Sequence, residues 1–104
     1  MTEAQFQKQV QEFLLRQGVW YVKYWGGGQF TKAGVPDLLC CVNGRFVGIE
    51  LKTEKGRVSK LQEYTLAKIK ESGGQAFVLR PSGFQAFKEF IKGEVNPCNS
   101  VTAE

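Results

Sequence analysis

Two apolar segments separated by the dipeptide Asn43-Gly44 constrain the fold more than any other feature of this sequence. Residues 37–42 and 45–52 are each rich in the apolar and β-branched residues of strands. Asn-Gly between two such segments is the strongest short-range signal for a two-residue turn, with positive φ at both central residues. We therefore predict an antiparallel hairpin in which Val42 pairs with Arg45 and Cys40 with Val47.

The same register places two acidic residues opposite each other at the open end of the hairpin. Asp37 then faces Glu50 with Cβ atoms about 5 Å apart, and Lys52 points to the same face of the sheet. Opposed like charges destabilise a sheet, whereas a divalent cation between them would be bound, because Mg²⁺ favours carboxylate oxygens together with waters and substrate phosphates. Lys52 would then place a positive charge beside the scissile phosphate, or act as a base. The alternative is a solvated sheet edge, where Lys52 only neutralises the pair.

Apolar spacing and turn residues predict the remaining elements. The predicted order is α-β-β-β-α-β-α, in one α/β domain over residues 1–92 whose mixed central sheet is flanked by helices. Residues 93–104 are polar and are predicted to form a flexible tail. The predicted elements are a helix over 4–17, a strand over 19–25, a glycine-rich loop over 26–34, the hairpin strands 37–42 and 45–52, a helix from Ser59 to about residue 71, a strand over 75–80 and a helix over 82–92.

The amino-acid composition limits the kinds of catalytic and metal-binding site that the chain can form. A chain of 104 residues suits one domain, and its net charge of +4 permits a polyanionic partner without demanding one. The absence of histidine excludes Ser-His-Asp hydrolases and His-ligated metal sites, and the three cysteines fit neither a disulfide framework nor zinc-binding CxxC pairs. Any catalysis must therefore rely on carboxylates and lysine. The sequence has no membrane-spanning apolar run and a polar N-terminus, so we expect an intracellular, cytoplasmic location.

Pro36-Asp37 followed by Glu50-Leu51-Lys52 resembles the PD-(D/E)XK signature of metal-dependent nucleases. The segment from Gly34 to Leu38, together with Glu50-Leu51-Lys52 and Ser59 to Gln62, is similar in more detail to the virus-type replication-repair nuclease family, VRR-NUC. The resemblance covers roughly residues 3–92, and it falls on the predicted hairpin. It implies the αβββαβ core of PD-(D/E)XK nucleases and the metal-dependent hydrolysis of phosphodiester bonds in DNA.

The resemblance implies a role for each residue of the signature. Asp37, Glu50 and the backbone carbonyl of Leu51 would bind Mg²⁺ or Mn²⁺, which polarises a phosphate oxygen and makes a bound water more acidic. Lys52 would orient the attacking water or stabilise charge on the pentacovalent phosphate. One-metal and two-metal mechanisms both remain open.

The family also places a glutamate on the first helix, where this sequence has two candidates. On a helix of ~3.6 residues per turn, Glu3 lies about 20° from Val10 and Leu14, whereas Glu12 lies about 160° from Val10. Glu3 therefore shares the inward face. We predict that Glu3 is the third acidic group, which completes the metal shell or binds a second metal, and that Glu12 is a surface residue.

Gln62 matches the family's glutamine on the second helix, which lies beside the metal site. Ser59 to Gln62 also has the pattern of a capping box, in which Gln62 would bond the backbone N–H of Ser59. Both interpretations remain open. Three basic residues follow the third strand and could bind DNA phosphates, although a solubilising basic loop is the alternative; they are Lys55, Arg57 and Lys60.

The standalone VRR-NUC domains, often encoded by viruses and phages, resemble Holliday-junction resolvases, so the resemblance implies selectivity for branched DNA. If the protein is viral, we expect it in the host cytoplasm. A homodimer is also implied, because two symmetric cuts in a four-way junction need two active sites. Aromatic residues of the first strand and its loop could form the dimer surface, unless the last helix covers them; these are Trp20, Tyr21, Tyr24, Trp25 and Phe30.

Two other functions compete with this one. A nuclease-like module could bind DNA without cutting it, but the intact set of Asp37, Glu50 and Lys52 argues against that. A small restriction-type nuclease is also possible, but a chain of this length has little surface left for an element that reads base edges.

Overall fold

The computed structural model describes residues 1–26 and 32–95 of the chain. These residues form the predicted order of helices and strands, with a 3₁₀ turn at Pro81–Gly83 before the last helix. The elements are α1 (Glu3–Arg16), β1 (Trp20–Lys23), β2 (Leu38–Val42), β3 (Arg45–Leu51), α2 (Lys60–Glu71), β4 (Gln75–Leu79) and α3 (Phe84–Glu94).

The four strands form one mixed sheet in the order β1-β2-β3-β4. The β1–β2 and β2–β3 pairs are antiparallel, whereas β3 and β4 are parallel. A parallel pair needs a long crossover connection, and α2 supplies it. The predicted α/β fold is confirmed, and it is compatible with a PD-(D/E)XK-like nuclease core.

The hairpin turn has the geometry that its sequence predicts. Asn43 has φ of 51° and Gly44 has φ of 78°, so both central residues lie in the left-handed region. Val42 pairs with Arg45 and Cys40 with Val47, and the ladder continues to Leu38 and Ile49. The register that places Asp37 beside Glu50 is therefore the one the chain adopts.

The helices divide between the two faces of the sheet. On one face, α1 and α3 pack together through edge-to-face aromatic contacts, with ring centroids 5.5 Å apart for Phe6 and Phe84 and 6.2 Å apart for Phe13 and Phe87. On the other face, α2 lies so close to β3 that a Cβ added at Gly48 would approach Ile69 Cδ1 to 3.1 Å. Strand residues alternate between faces, so Glu50 points to the face that α2 covers.

Some boundaries differ from the predicted ones. Pro81–Gly83 form a 3₁₀ turn, so α3 begins at Phe84 rather than at residue 82, and it extends to Glu94, beyond the predicted domain boundary at residue 92. The rest of the predicted tail, residues 96–104, lies outside the described residues, as do residues 27–31 of the glycine-rich loop, including Phe30. Within the described ranges, no helix is long and apolar enough to cross a membrane.

Candidate active site

Asp37 and Glu50 meet at the end of the β2–β3 hairpin remote from its turn. Asp37 immediately precedes β2, and its Oδ2 accepts a hydrogen bond of 2.8 Å from the backbone N–H of Leu51. This bond ties the Asp37 carboxylate to the residue that follows Glu50. The Glu50 carboxylate is held on the same end of the sheet, in a residue that is only 3% exposed.

The buried position of Glu50 beside Asp37 changes the pKa of its carboxyl group. Burial raises the pKa of the Glu50 carboxyl from 4.5 to about 7, the negative charge of Asp37 acts in the same direction, and Lys52 opposes both. Without a bound metal ion, the Glu50 carboxyl is therefore partly protonated near neutral pH. A positive charge placed between the carboxylates would release that proton.

Lys52 lies directly beside this pair. Its Nζ is 3.6 Å from Glu50 Oε2, and its side chain is largely shielded from solvent. The backbone N–H of Lys52 donates to the carbonyl of Leu79 at 3.1 Å, which continues the β3–β4 ladder past the end of β3. Lys52 is therefore positioned by the sheet rather than by a mobile loop.

Gln62 satisfies both interpretations of its sequence context at once. Its Oε1 accepts from the backbone N–H of Ser59 at 2.9 Å, and its own N–H donates to Ser59 Oγ at 3.1 Å, which completes the capping box of α2. Its Nε2 donates to Glu50 Oε2 at 2.9 Å. An amide side chain has separate acceptor and donor atoms, so capping the helix fixes the orientation that presents the donor to Glu50.

The two glutamates of α1 are both exposed. Glu3 lies on the predicted stripe with Val10 and Leu14, but it occupies the first turn, and burial along α1 begins only at Phe6. Within the described part of the chain, no three Asp, Glu, Cys or His side chains are grouped so that they could hold a metal ion. The structure brings together Asp37, Glu50, Lys52 and Gln62, and it does not bring Glu3 to them.

The basic residues predicted to contact DNA lie just beyond the site. Lys55 and Arg57 are exposed on the segment that joins β3 to α2, and Lys60 is exposed in the first turn of α2. They follow Lys52 in the sequence, and their contact with DNA stays a prediction.

Arg80 anchors this segment, a role that sequence reasoning missed. Its Nη1 donates to the carbonyl oxygens of Thr53 at 2.6 Å and Gly56 at 2.7 Å. The Glu54 carboxylate in turn accepts from the backbone N–H and the hydroxyl of Ser82. No local pattern signals these contacts, because they join residues far apart in sequence through backbone carbonyls that any residue type could supply.

The donor set of the site fits a hard divalent cation. Two carboxylates converge, and the described residues add no thiolate near them and no imidazole. Mg²⁺ is commonly bound by one or two carboxylates, with waters and substrate phosphates completing the shell. Besides burial, the negative charge of Asp37 raises the pKa of Glu50, and such an ion would relieve that repulsion.

The family model described as VRR-NUC domain matches residues 6–82 of the 104-residue chain. The matched range includes the hairpin, Lys52, Gln62 and Arg80, and it excludes Glu3. No curated protein and no solved structure matches the chain. The match confirms the resemblance drawn from the motifs, and it supports a nuclease-type, DNA-processing function.

Proposed function

Because the chain belongs to the VRR-NUC family, we propose that it is a Mg²⁺- or Mn²⁺-dependent endonuclease that hydrolyses phosphodiester bonds in branched DNA, such as four-way (Holliday) junctions. The observation that carries this proposal is the buried Glu50 carboxylate, held beside Asp37 with Lys52 Nζ 3.6 Å away. A folded chain gains no stability from opposing two carboxylates at a sheet end. A ligand that binds both carboxylates would offset this repulsion.

Each residue of the site has a distinct part in this reaction. Asp37 and Glu50 would hold the metal ion, with the Leu51 carbonyl as the further ligand that the family resemblance implies. When bound, such an ion polarises a phosphate oxygen and increases the acidity of a coordinated water. Lys52 orients the attacking water or stabilises the charge that develops on the phosphate. Gln62 positions Glu50 through its hydrogen bond.

Selectivity for branched DNA is supported by where the positive charge lies. The cations of Lys55, Arg57 and Lys60 are grouped on one exposed segment after β3. Arg80 fixes the backbone of that segment, so the spacing of these cations relative to the site is set by the fold. Phosphate contacts position a strand without reading its bases. Recognition of DNA shape rather than sequence is the outcome such a surface favours.

A homodimer would supply the second active site that symmetric junction cleavage requires. The side of β1, β2 and β3 that faces away from α1 and α3 carries an exposed apolar surface, which we call the outer apolar surface. Trp20 in it is 65% exposed. Because α3 packs with α1 on the other face of the sheet, the last helix does not cover this tryptophan. The outer apolar surface consists of Trp20, Val22, Cys41 and Phe46.

A cleavage assay on single-stranded, duplex, flap and four-way substrates tests the proposal, with Mg²⁺, Mn²⁺ and EDTA compared for each. We expect metal-dependent cuts near branch points, absent in EDTA and absent for Asp37→Asn. DNA binding without cleavage in either metal would instead indicate the non-catalytic module. Cleavage of linear duplex at one sequence would indicate the restriction-type alternative.

A further inference from the structure

We propose that the end of β1 carries a binding subsite for one unpaired nucleotide, on the α1 side of the sheet end that bears the cleavage site, with Trp25 stacking on the base and Lys23 binding a phosphate. The inference rests on the proposed function and adds to it the feature of DNA that would be recognised. Three observations carry it: the position of Trp25, its contact with Lys23 and the cavity that Lys23 lines.

The position of Trp25 is set by the backbone. The β1–β2 ladder ends with Lys23 opposite Leu38, and one step further the N–H of Tyr24 donates to the Asp37 carbonyl at 2.8 Å. Trp25 is therefore the residue after the one bonded to Asp37. Its side chain is 71% exposed, so this large aromatic surface contributes little to the core. Trp25 lies with Lys23 on the α1 side of the sheet, whereas Asp37 faces the α2 side. A DNA strand cut at Asp37 would therefore reach Trp25 by passing around the edge strand β1.

Lys23 and Trp25 form a pair that matches the chemistry of a nucleotide. Residues two apart on an extended strand point to the same side, and Lys23 Nζ lies 3.9 Å from the centroid of the Trp25 ring. A cation beside an aromatic face is the combination with which proteins bind single-stranded DNA, because the aromatic ring stacks on a base while the cation contacts the backbone. As a contact within the protein at a largely exposed ring, the pair contributes little to stability.

A cavity of about 380 Å³ between α1 and β1 continues from Lys23. Lys8 and Gln7 line it, with Tyr21 and Glu12 also in its wall. Gln7 is only 8% exposed, and its Nε2 has no hydrogen-bond partner among the residues that the structure describes. A buried donor without an acceptor is costly, so a rotation of the Gln7 amide toward an oxygen-rich ligand in this cavity would satisfy it. A sugar-phosphate group supplies such oxygens and the charge that the two lysines complement.

The subsite favours an unpaired nucleotide over a paired one for a physical reason. In a duplex both faces of each base are already stacked, and freeing one costs a few kcal/mol. A base at a branch point or in a single-stranded arm offers its face without that cost. Trp25 would therefore increase the affinity for branched or single-stranded DNA while leaving duplex affinity nearly unchanged.

Binding measurements on Asp37→Asn protein test the inference without cleavage of the probe. The probes are a fluorescent oligothymidylate and a duplex of equal charge. Adding Trp25→Ala should weaken oligothymidylate binding about tenfold, in line with the loss of one base–aromatic stack, and should change duplex binding less than about twofold. Trp25→Phe should recover most of the affinity. The matched control is Tyr64→Ala, which removes another exposed aromatic residue from α2 and should leave both affinities unchanged.

Fluorescence gives a second readout. Trp20→Phe leaves Trp25 as the sole tryptophan, whose emission should be quenched by oligothymidylate and not by duplex. Unquenched emission, or oligothymidylate affinity that is equal with and without Trp25, overturns the subsite. If the wild-type protein still cuts branched DNA in Mg²⁺ in that case, only the subsite is wrong. If the wild-type protein cuts no DNA with either metal, the proposed nuclease function is wrong.

Discussion

Gln62 Nε2 donates a hydrogen bond to Glu50 Oε2 at 2.9 Å, while Oε1 of the same amide accepts from the backbone N–H of Ser59. One side chain thus connects the start of α2 to the buried carboxylate of β3. The cap fixes which end of the amide faces Glu50. This arrangement makes the N-terminus of α2 part of the site's geometry.

Substitution of Gln62 separates these two roles. Gln62→Glu keeps an oxygen that can accept from the Ser59 N–H, but it places a negative charge against Glu50. The free energy of unfolding, measured at neutral pH without Mg²⁺, should therefore fall. The metal concentration needed for cleavage should also change. Gln62→Ala should lose about 1 kcal/mol of helix-capping stability and the Glu50 contact together. Thermal unfolding and metal titration of cleavage measure these effects.

The chain supplies a matched control for Gln62. Gln5 closes the same kind of capping box with Thr2 at the start of α1, remote from Glu50. Gln5→Ala should therefore lose a similar capping stability and leave the metal dependence of cleavage unaltered. If Gln5→Ala and Gln62→Ala had the same effect on cleavage, the link between Gln62 and the site would be purely structural.

The raised pKa of Glu50 should make the stability of the protein fall as pH rises toward neutrality. Its pKa is about 7 in the folded chain and 4.5 unperturbed, so the folded state binds the proton more tightly. This contribution to the free energy of unfolding is present at low pH and is lost as pH rises from about 4.5 to about 7, by roughly 3 kcal/mol.

Denaturant unfolding of metal-free wild type and Glu50→Gln measures this contribution as the difference between them. The stability of Glu50→Gln relative to wild type should increase across that pH range, since glutamine remains neutral. Mg²⁺ at pH 8 should stabilise wild type and have little effect on Glu50→Gln. If the difference in free energy of unfolding between the two proteins stays constant from pH 4 to pH 8, the raised pKa of Glu50 is contradicted.

Asp37 and Lys52 are predicted to serve chemistry more than binding. Asp37→Asn keeps an oxygen that can accept from the Leu51 N–H, and Lys52→Ala removes the cation beside Glu50. Either change should abolish detectable cleavage and leave DNA affinity within about tenfold, or ~1.4 kcal/mol, because phosphate contacts elsewhere supply most of the binding. Gel-shift and cleavage assays on the same junction make the comparison. Parallel loss of binding and cutting would favour the non-catalytic module.

The hairpin shows why much of this site could be predicted from sequence. A two-residue Asn43-Gly44 turn fixes the register, and the register alone brings Asp37 to Glu50. Glu3 shows the limit of the same reasoning. A helical wheel gives the direction of a side chain around the axis, but it does not reveal that the first turn of α1 extends past the part that packs on the sheet.

Arg80 illustrates what local patterns do not contain. Its hydrogen bonds to backbone carbonyls depend on how the β3–α2 segment and the end of β4 are placed in three dimensions. Gln62 lies between these cases. Its capping box follows from the local sequence. The hydrogen bond from its Nε2 to Glu50 depends on where α2 packs on the sheet.

Arg80 should control the segment that carries Lys55 and Arg57. Arg80→Leu leaves the carbonyls of Thr53 and Gly56 without their charged donor, which should cost about 2 kcal/mol of stability and weaken junction binding. Arg80→Lys should restore only part of the effect, since a lysine cannot reproduce the planar fork. Salt-dependent affinity measurements, with the exposed Arg45→Leu as a control for lost charge, check the result. Equal effects of Arg45→Leu and Arg80→Leu would show that charge alone matters.

The outer apolar surface predicts the oligomeric state. If two copies associate through Trp20 and Phe46, Trp20→Glu should place like charges across a two-fold interface and yield monomers in light scattering. Those monomers should still nick a four-way junction, because Trp20 lies at the opposite end of β1 from Asp37, but the paired cuts on opposing strands should become independent. Leu15→Glu, at an equally exposed apolar position on α1, is the matched control and should remain dimeric. A wild-type protein that is monomeric both free and bound to a junction would defeat the resolvase proposal, and metal-dependent cleavage by that monomer would leave the nuclease assignment standing.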